Sequence, residues 1–219
     1  MTLEIKSYTL GIAATNAYII GDTESRQAVV IDPVDRADLL LAAAQESDWE
    51  IKLILATHGH FDHVLASKAL KDLTGAPFYI HEKGLFWLEQ LPERGVMFTG
   101  KPFPEAATPD RLLTNARETL EIGAIKLETL YTPGHAEDHI SYYMPEHNLV
   151  FGGDVLFAGS IGRTDLPGGS LDVLMSSIFD VLFPLGDDVQ LLPGHMEITT
   201  LGQERRTNPW VLEYQDRQR

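Results

Sequence analysis

The chain has 219 residues, 44% of them hydrophobic, no cysteine, and a formal charge of −15 with histidines neutral. That length and apolar content support a substantial core in one or two domains, and the missing thiols exclude disulfides and leave nitrogen and oxygen as the donors for any metal. The negative field opposes general binding to nucleic acid or anionic membranes.

No run approaches the roughly 18 apolar residues of a membrane helix, and Met1–Lys6 lacks the basic stretch and apolar core of a signal peptide. A cytoplasmic location is the expectation. Leu3–Leu10, Ala17–Gly21 and Gln27–Asp32 read as strands, with Gly21-Asp22 as turn material between the last two and Asp32-Pro33 closing the segment. Asp35 to about Glu46 follows as a helix, with Leu39, Leu40, Ala43 and Ala44 on one face. Ile51–Ala56 is a buried strand, Asp62–Leu73 a helix, Phe78–Ile80 a short strand and His81–Leu91 a further helix. From Pro92 to about Thr114 the spacing of Pro92, Gly95, Gly100, Pro102, Pro104 and Pro109 predicts irregular backbone, either a lid or rim beside a pocket or a plain surface crossing. Strands resume at Thr119–Ile122, Ile125–Tyr131, Ile140–Met144 and Leu149–Phe151. Ser170 caps a helix through Leu171, Leu174 and Ile178, Val189–Leu192 is the last strand, and Thr199–Arg205 and Pro209–Gln215 close the chain as short helices. Strands cluster in both halves with helices between them, the pattern of two sheets packed face to face and covered outside by helices, as one domain over residues 1–219.

Four of these apolar runs end in a short polar turn that carries a histidine or aspartate. Ile51–Ala56 leads into Thr57-His58-Gly59-His60-Phe61-Asp62-His63, and Leu127–Tyr131 into Thr132-Pro133-Gly134-His135. Leu149–Phe151 leads into Gly152-Gly153-Asp154, and Val189–Leu192 into Pro193-Gly194-His195. Imidazole nitrogen and carboxylate oxygen suit zinc, iron and manganese. An isolated histidine is usually structural, and Asp62 alone at a helix start would most often be a cap. Together the four turns supply seven donors, enough for two ions with a shared carboxylate.

The order THxHxDH, TPGH, GGD, PGH resembles the metallo-β-lactamase superfamily, αββα hydrolases with a dinuclear site, and the likeness spans almost the whole chain, including Thr15-Asn16-Ala17-Tyr18-Ile19. The resemblance implies an α/β fold of two mixed sheets flanked by helices in four layers, with His58, His60 and His135 on one divalent ion, Asp62, His63 and His195 on the other, and Asp154 bridging. Within that superfamily the chain is most similar to the glyoxalase II-like hydrolases, its residues 153–157 and 159–169 and the ending Pro193-Gly194-His195 with Glu204–Pro209 matching the short bacterial members. The resemblance further implies hydrolysis of a small-molecule thioester, of the S-lactoylglutathione type, by a hydroxide bridging two ions (zinc first, iron or manganese also suited). Asp62 and Asp154 are then the catalytic carboxylates, and a monomer or small homo-oligomer acts without nucleic acid or membrane. Arg163 stands where larger glyoxalases carry a basic residue that meets glutathione, or else it pairs with Asp165. Asp165 and Glu197 replace tyrosines of the larger enzymes. His139 resembles a position that hydrogen-bonds a metal ligand. His81 and His147 suit surface or turn roles, and Trp49, Trp87 and Trp210 suit packing. The rival reading, on the same histidines and Gly162-Arg163-Thr164-Asp165, is a persulfide dioxygenase with one iron; a lactonase or β-lactamase is a lesser alternative.

Overall fold

A computed structural model of the chain describes residues 3–217. Met1 and Thr2, part of the stretch that lacks a signal-peptide pattern, lie outside the described residues. The chain forms two compact units, one running to Thr114 and including Leu120–Lys126, the other made of Asn115–Thr119 and the chain from Leu127 onward.

In the first unit β1 (Leu3–Leu10), β2 (Thr15–Asp22) and β3 (Gln27–Ile31) form an antiparallel meander. Parallel pairing then adds β4 (Glu50–Leu55), β5 (Phe78–His81) and β6 (Arg111–Leu113), giving one six-stranded mixed sheet in chain order. Parallel neighbours need crossovers. These are α1 (Ala37–Gln45), the pair α2 (Phe61–Val64) and α3 (Ser67–Thr74), and the pair α4 (Leu85–Glu89) and α5 (Leu91–Thr99). β2 is buried along its whole length, as a central strand covered on both faces must be. Ile19, Val30, Ile54 and Phe78 of the sheet pack with Leu40 of α1 and Leu70 of α3 in the unit's core.

The second sheet runs β14-β13-β10-β9-β8-β7. Its strands are β7 (Thr119–Ile122), β8 (Ile125–Tyr131), β9 (Ile140–Met144), β10 (Leu149–Gly153), β13 (Gln190–Pro193) and β14 (Thr199–Thr200). β10 pairs with β13 in parallel, while β8 with β9, β9 with β10 and β13 with β14 pair antiparallel; the parallel connection is made by α6 (Leu171–Ser176) and a π turn over Ser177–Leu182. Between them β11 (Leu156–Phe157) and β12 (Ser160–Ile161) make a small separate hairpin. α7 (Leu201–Thr207) and α8 (Pro209–Arg217) end the described chain. Leu130, Tyr143, Val150 and Leu191 of the strands pack with Leu174, Ile178, Leu201 and Val211 in this unit's core. Among the described residues no helix is long and apolar enough to cross a membrane.

Several elements differ from the sequence expectations. The helix expected over His81–Leu91 is divided: His81 ends β5, residues 82–84 form a 3-10 turn, α4 covers only Leu85–Glu89, and Leu91 already opens α5. Thr199 and Thr200, expected to open a helix, pair as β14, and α7 starts at Leu201. β2 continues through Gly21 and Asp22, and the turn falls on residues 23–26. The helix expected from Asp62 breaks at Leu65-Ala66 because the Ala66 N–H is taken by the Pro33 carbonyl at 2.9 Å, outside the helical ladder. Between Pro92 and Thr114 the backbone is regular in two places, α5 and β6. Pro92 does not disrupt α5, because it lies in the first turn, where its missing N–H has no helical acceptor to lose. Gly95 lets the segment after that helix fold back on it, since a Cβ there would stand 2.0 Å from the Phe103 nitrogen.

Candidate metal centre

The first unit places His58, His60, Asp62 and His63 on the turn from β4 into α2. All three imidazoles are buried, and the Asp62 side chain is 14% exposed. His58 Nε2 lies 3.0 Å from His60 Nδ1, and His63 Nε2 lies 3.7 Å from Asp62 Oδ2. Asp62 is not a helix cap: the N-cap position of α2 belongs to His60, and Asp62 Oδ2 accepts the Thr15 hydroxyl at 2.9 Å.

A residue outside the motif orients this group. Asp32, at the end of β3, accepts the Thr57 N–H at 2.7 Å and the Thr57 hydroxyl at 2.9 Å, and its Oδ2 takes the His63 Nδ1–H at 2.8 Å. His63 Nε2 is therefore the nitrogen with a lone pair to give. Because the Thr57 hydroxyl donates to Asp32, its oxygen accepts from His58 Nδ1 at 3.1 Å, and the His58 lone pair also falls on Nε2. Only the strand-end position of Asp32, like that of the other donors, hints at this in the sequence; Asp-Pro otherwise reads as a turn.

In the second unit the parallel neighbours β10 and β13 end side by side, with the Gly194 N–H donated to the Gly153 carbonyl at 2.8 Å. They deliver Asp154 and His195 together: His195 Nε2 is 3.4 Å from Asp154 Oδ2, and His135 Nε2 is 3.5 Å from the same oxygen. Gly134 sets the approach of His135, with φ of +128° and a Cβ position 2.2 Å from the Leu174 nitrogen. His135 Nδ1 donates to the Arg163 carbonyl at 2.8 Å, so its lone pair also lies on Nε2. His139 is fully buried and is a support for a donor: its Nε2 accepts the Asp154 N–H at 2.9 Å, and its Nδ1 then donates to Thr132 Oγ1 at 3.0 Å.

Donors bound at about 2.0–2.1 Å to one ion stand roughly 3.0 Å apart at right angles and roughly 3.4 Å apart at the tetrahedral angle. The separations of 3.0 and 3.4 Å match that geometry and those of 3.5 and 3.7 Å are slightly wider than it, on donor types that suit zinc, iron and manganese.

Of the other residues singled out in the sequence, Arg163 makes a two-point ion pair with Asp165, Nε to Oδ1 at 2.7 Å and Nη2 to Oδ2 at 2.8 Å, on an exposed surface. The guanidinium holds the Asp165 carboxyl down at about 2. His147 is exposed in a turn, while His81 is fully buried and caps the turn after β5, its Nδ1 accepting the Lys83 N–H at 3.3 Å. Trp49 and Trp87 are buried, whereas Trp210 is 47% exposed and is no core residue. Trp87 stands edge-on to His60, ring centres 4.7 Å apart.

Residues 10–195 match the family model of the metallo-beta-lactamase superfamily. The hydroxyacylglutathione hydrolase GloC of Haemophilus influenzae is 42% identical over 90% of this chain and 92% of its own length. Among solved structures, the BLEG-1 B3 metallo-beta-lactamase superposes with a TM-score of 0.88 at 38% identity, covering 95% of this chain and 99% of that one. TTHA1623, solved in a di-iron-bound form, gives 0.83 at 37% identity, covering 94% and 99%.

Proposed function

The chain belongs to the metallo-beta-lactamase superfamily, and from that premise we propose that it is a single-domain, dinuclear metal-dependent hydrolase of hydroxyacylglutathione-type thioesters. In this proposal His58, His60 and His135 hold one divalent ion, Asp62, His63 and His195 hold the other, and Asp154 is shared. Zinc is the first choice of metal, with iron or manganese accepted by the same donors. The observation that carries the reading is Asp154 Oδ2, which has two imidazole nitrogens at 3.4 and 3.5 Å, the environment of a carboxylate oxygen common to two ligand sets. The hydroxyacylglutathione hydrolase similar to this chain supports the substrate class, and the di-iron relative supports two ions.

Divalent ions in such a set lower the pKa of a bound water towards neutrality and polarise a carbonyl oxygen. The chain's own residues do the rest. Asp32, the Thr57 hydroxyl and the Arg163 carbonyl fix three imidazoles in the tautomer that presents Nε2. His139 anchors the Asp154 backbone, so the shared carboxylate is held from behind. Asp62, whose Oδ2 is steadied by the Thr15 hydroxyl, would orient the attacking water through its carboxylate. No serine or cysteine nucleophile is required. The substrate is a small molecule, met by a monomer or small homo-oligomer in the cytoplasm without nucleic acid or membrane.

The test is S-lactoylglutathione hydrolysis measured together with metal content. Two ions per chain and turnover are the expected result, and Asp154→Ala loses the second ion and lowers kcat/KM by roughly 100-fold or more. One iron per chain with persulfide-dependent oxygen uptake would overturn the hydrolase reading in favour of a dioxygenase. Preferential cleavage of a lactone or β-lactam would move the substrate class.

A further inference from the structure

Arginines on this acidic chain are, as a rule, neutralised by a neighbouring carboxylate. Arg26 pairs with Asp48 at 2.7 Å, Arg36 with Asp38 at 2.9 Å, Arg163 with Asp165 at 2.7 Å, and Arg205 and Arg206 with Asp187 at 3.3 and 3.4 Å. Arg94 departs from the rule. Its guanidinium carbon lies over the indole of Trp87, Cζ 4.0 Å from the ring centre, and among the described residues no carboxylate pairs with it. Its Nε is buried with no hydrogen-bond partner, and burial alone lowers its pKa, with no neighbouring charge offsetting the effect. Trp87 in turn meets His60 edge-on. An unpaired, partly dehydrated guanidinium is thus held one indole away from a candidate metal ligand.

The buried Nε of Arg94 is a donor without an acceptor, which a bound anion would satisfy. A guanidinium held over an aromatic ring keeps its planar fork of donors available for two-point bonding to a carboxylate. We propose that Arg94, presented by Trp87, is a carboxylate-binding subsite that selects thioesters whose thiol portion carries a carboxylate. Arg94 Cζ is 4.0 Å from the Trp87 ring centre and that ring is 4.7 Å from the His60 ring, a span comparable to the distance on the order of 7 Å from a thioester sulfur to the carboxylate that ends a dipeptide. Arg163, the other candidate, already has its two-point bond to Asp165. This inference rests on the hydrolase reading for the identity of the scissile bond, but the anion site stands on α4 and α5 alone.

The experiment compares two esters of one acyl group, S-lactoylglutathione and the lactoyl thioester of uncharged N-acetylcysteamine, on the metal-loaded wild type, Arg94→Met, Arg94→Lys and Arg26→Ala. Arg94→Met keeps an unbranched apolar stem over Trp87 and removes the charge. Its ratio of kcat/KM for the charged over the neutral ester should fall roughly 10- to 100-fold, through KM, with Arg94→Lys recovering part and Arg26→Ala keeping the wild-type ratio. A ratio in Arg94→Met equal to wild type, or a similar loss for both esters, would overturn the subsite. Wild-type protein that cleaves neither ester sinks the hydrolase reading instead. Calorimetry with S-methylglutathione, which has no thioester to cleave, then decides the subsite by itself: weaker binding to Arg94→Met upholds it, and equal binding to both proteins overturns it.

Discussion

Asp32 shows how one side chain outside a motif can control the chemistry of a residue inside it. It is buried in the left-handed region at φ of +54°, which aspartate tolerates better than most residues, at a cost of roughly 1–3 kcal/mol. The strain is repaid by three hydrogen bonds that lock Thr57 and His63. Asp32→Asn can keep the bond to the Thr57 N–H but turns an amide NH2 towards His63 Nδ1, which favours the opposite tautomer and removes the lone pair from Nε2. Metal affinity should fall about 10- to 100-fold in a chelator competition, with secondary structure retained by circular dichroism. Metal affinity equal to wild type would remove Asp32 from the site. The candidate donors could be picked out in the sequence because each of the four turns follows an apolar run. Asp32 could not, because Asp-Pro after a strand is common turn chemistry, and neither could Arg94, because the lack of an acidic partner is a property of three-dimensional neighbours.

At the scale of elements, Glu204 ties the start of α7 to the β11–β12 hairpin. Its carboxylate is buried and accepts the Thr199 hydroxyl at 2.6 Å, the Gly159 N–H at 2.8 Å and the Asn208 amide at 2.9 Å, while Asn208 also donates to the Ser160 carbonyl at 2.9 Å. Glu204→Ala strands three donors, and urea unfolding should show a loss of about 3 kcal/mol; a loss below about 1 kcal/mol would mean that the hairpin is held by other contacts. Asp22 plays the corresponding part in the first unit, joining the β2–β3 turn to the β7–β8 turn. It accepts the Ser25 hydroxyl at 2.5 Å and the Ala124 N–H at 3.1 Å, and the first of these, ahead of the opposing effect of burial, holds its carboxyl below the ordinary 3.8. A carboxylate with a depressed folded value adds stability above its ordinary value and loses it as pH falls through the folded value. Asp22→Asn should therefore be less stable at neutral pH, with the difference shrinking in acid, as followed by thermal melts from pH 7 to pH 2. The long strands and α1 were legible because hydrophobic runs and their breaks report them directly. α5, β6 and the β11–β12 hairpin were not: a proline in a first turn looks like a breaker, and strands of two or three residues are too short to show a period.

For the whole molecule, the candidate metal donors are also part of the charge balance. Asp32, Asp62 and Asp154 lie buried or nearly so among imidazoles in a chain of net charge −15, and bound divalent cations would offset that excess where it is least hydrated. An ion that binds the folded chain and not the unfolded one stabilises the fold by about 2.7 kcal/mol at a free concentration of 100 Kd. For a protein of 219 residues each kcal/mol moves Tm by roughly 2–4 °C. Stripping the metal with a chelator should thus lower Tm by roughly 5–10 °C per ion, and adding zinc or iron back should restore it in proportion to the ions bound. Asp154→Ala, which on the proposed two-ion reading would lose the second ion, should start lower and respond less to the chelator than the wild type. If the stripped wild type melts where the loaded protein does, although metal analysis shows the ions gone, the donors bind too weakly to contribute to the fold. The hydrolase reading would then lose its physical basis even before a substrate is tried.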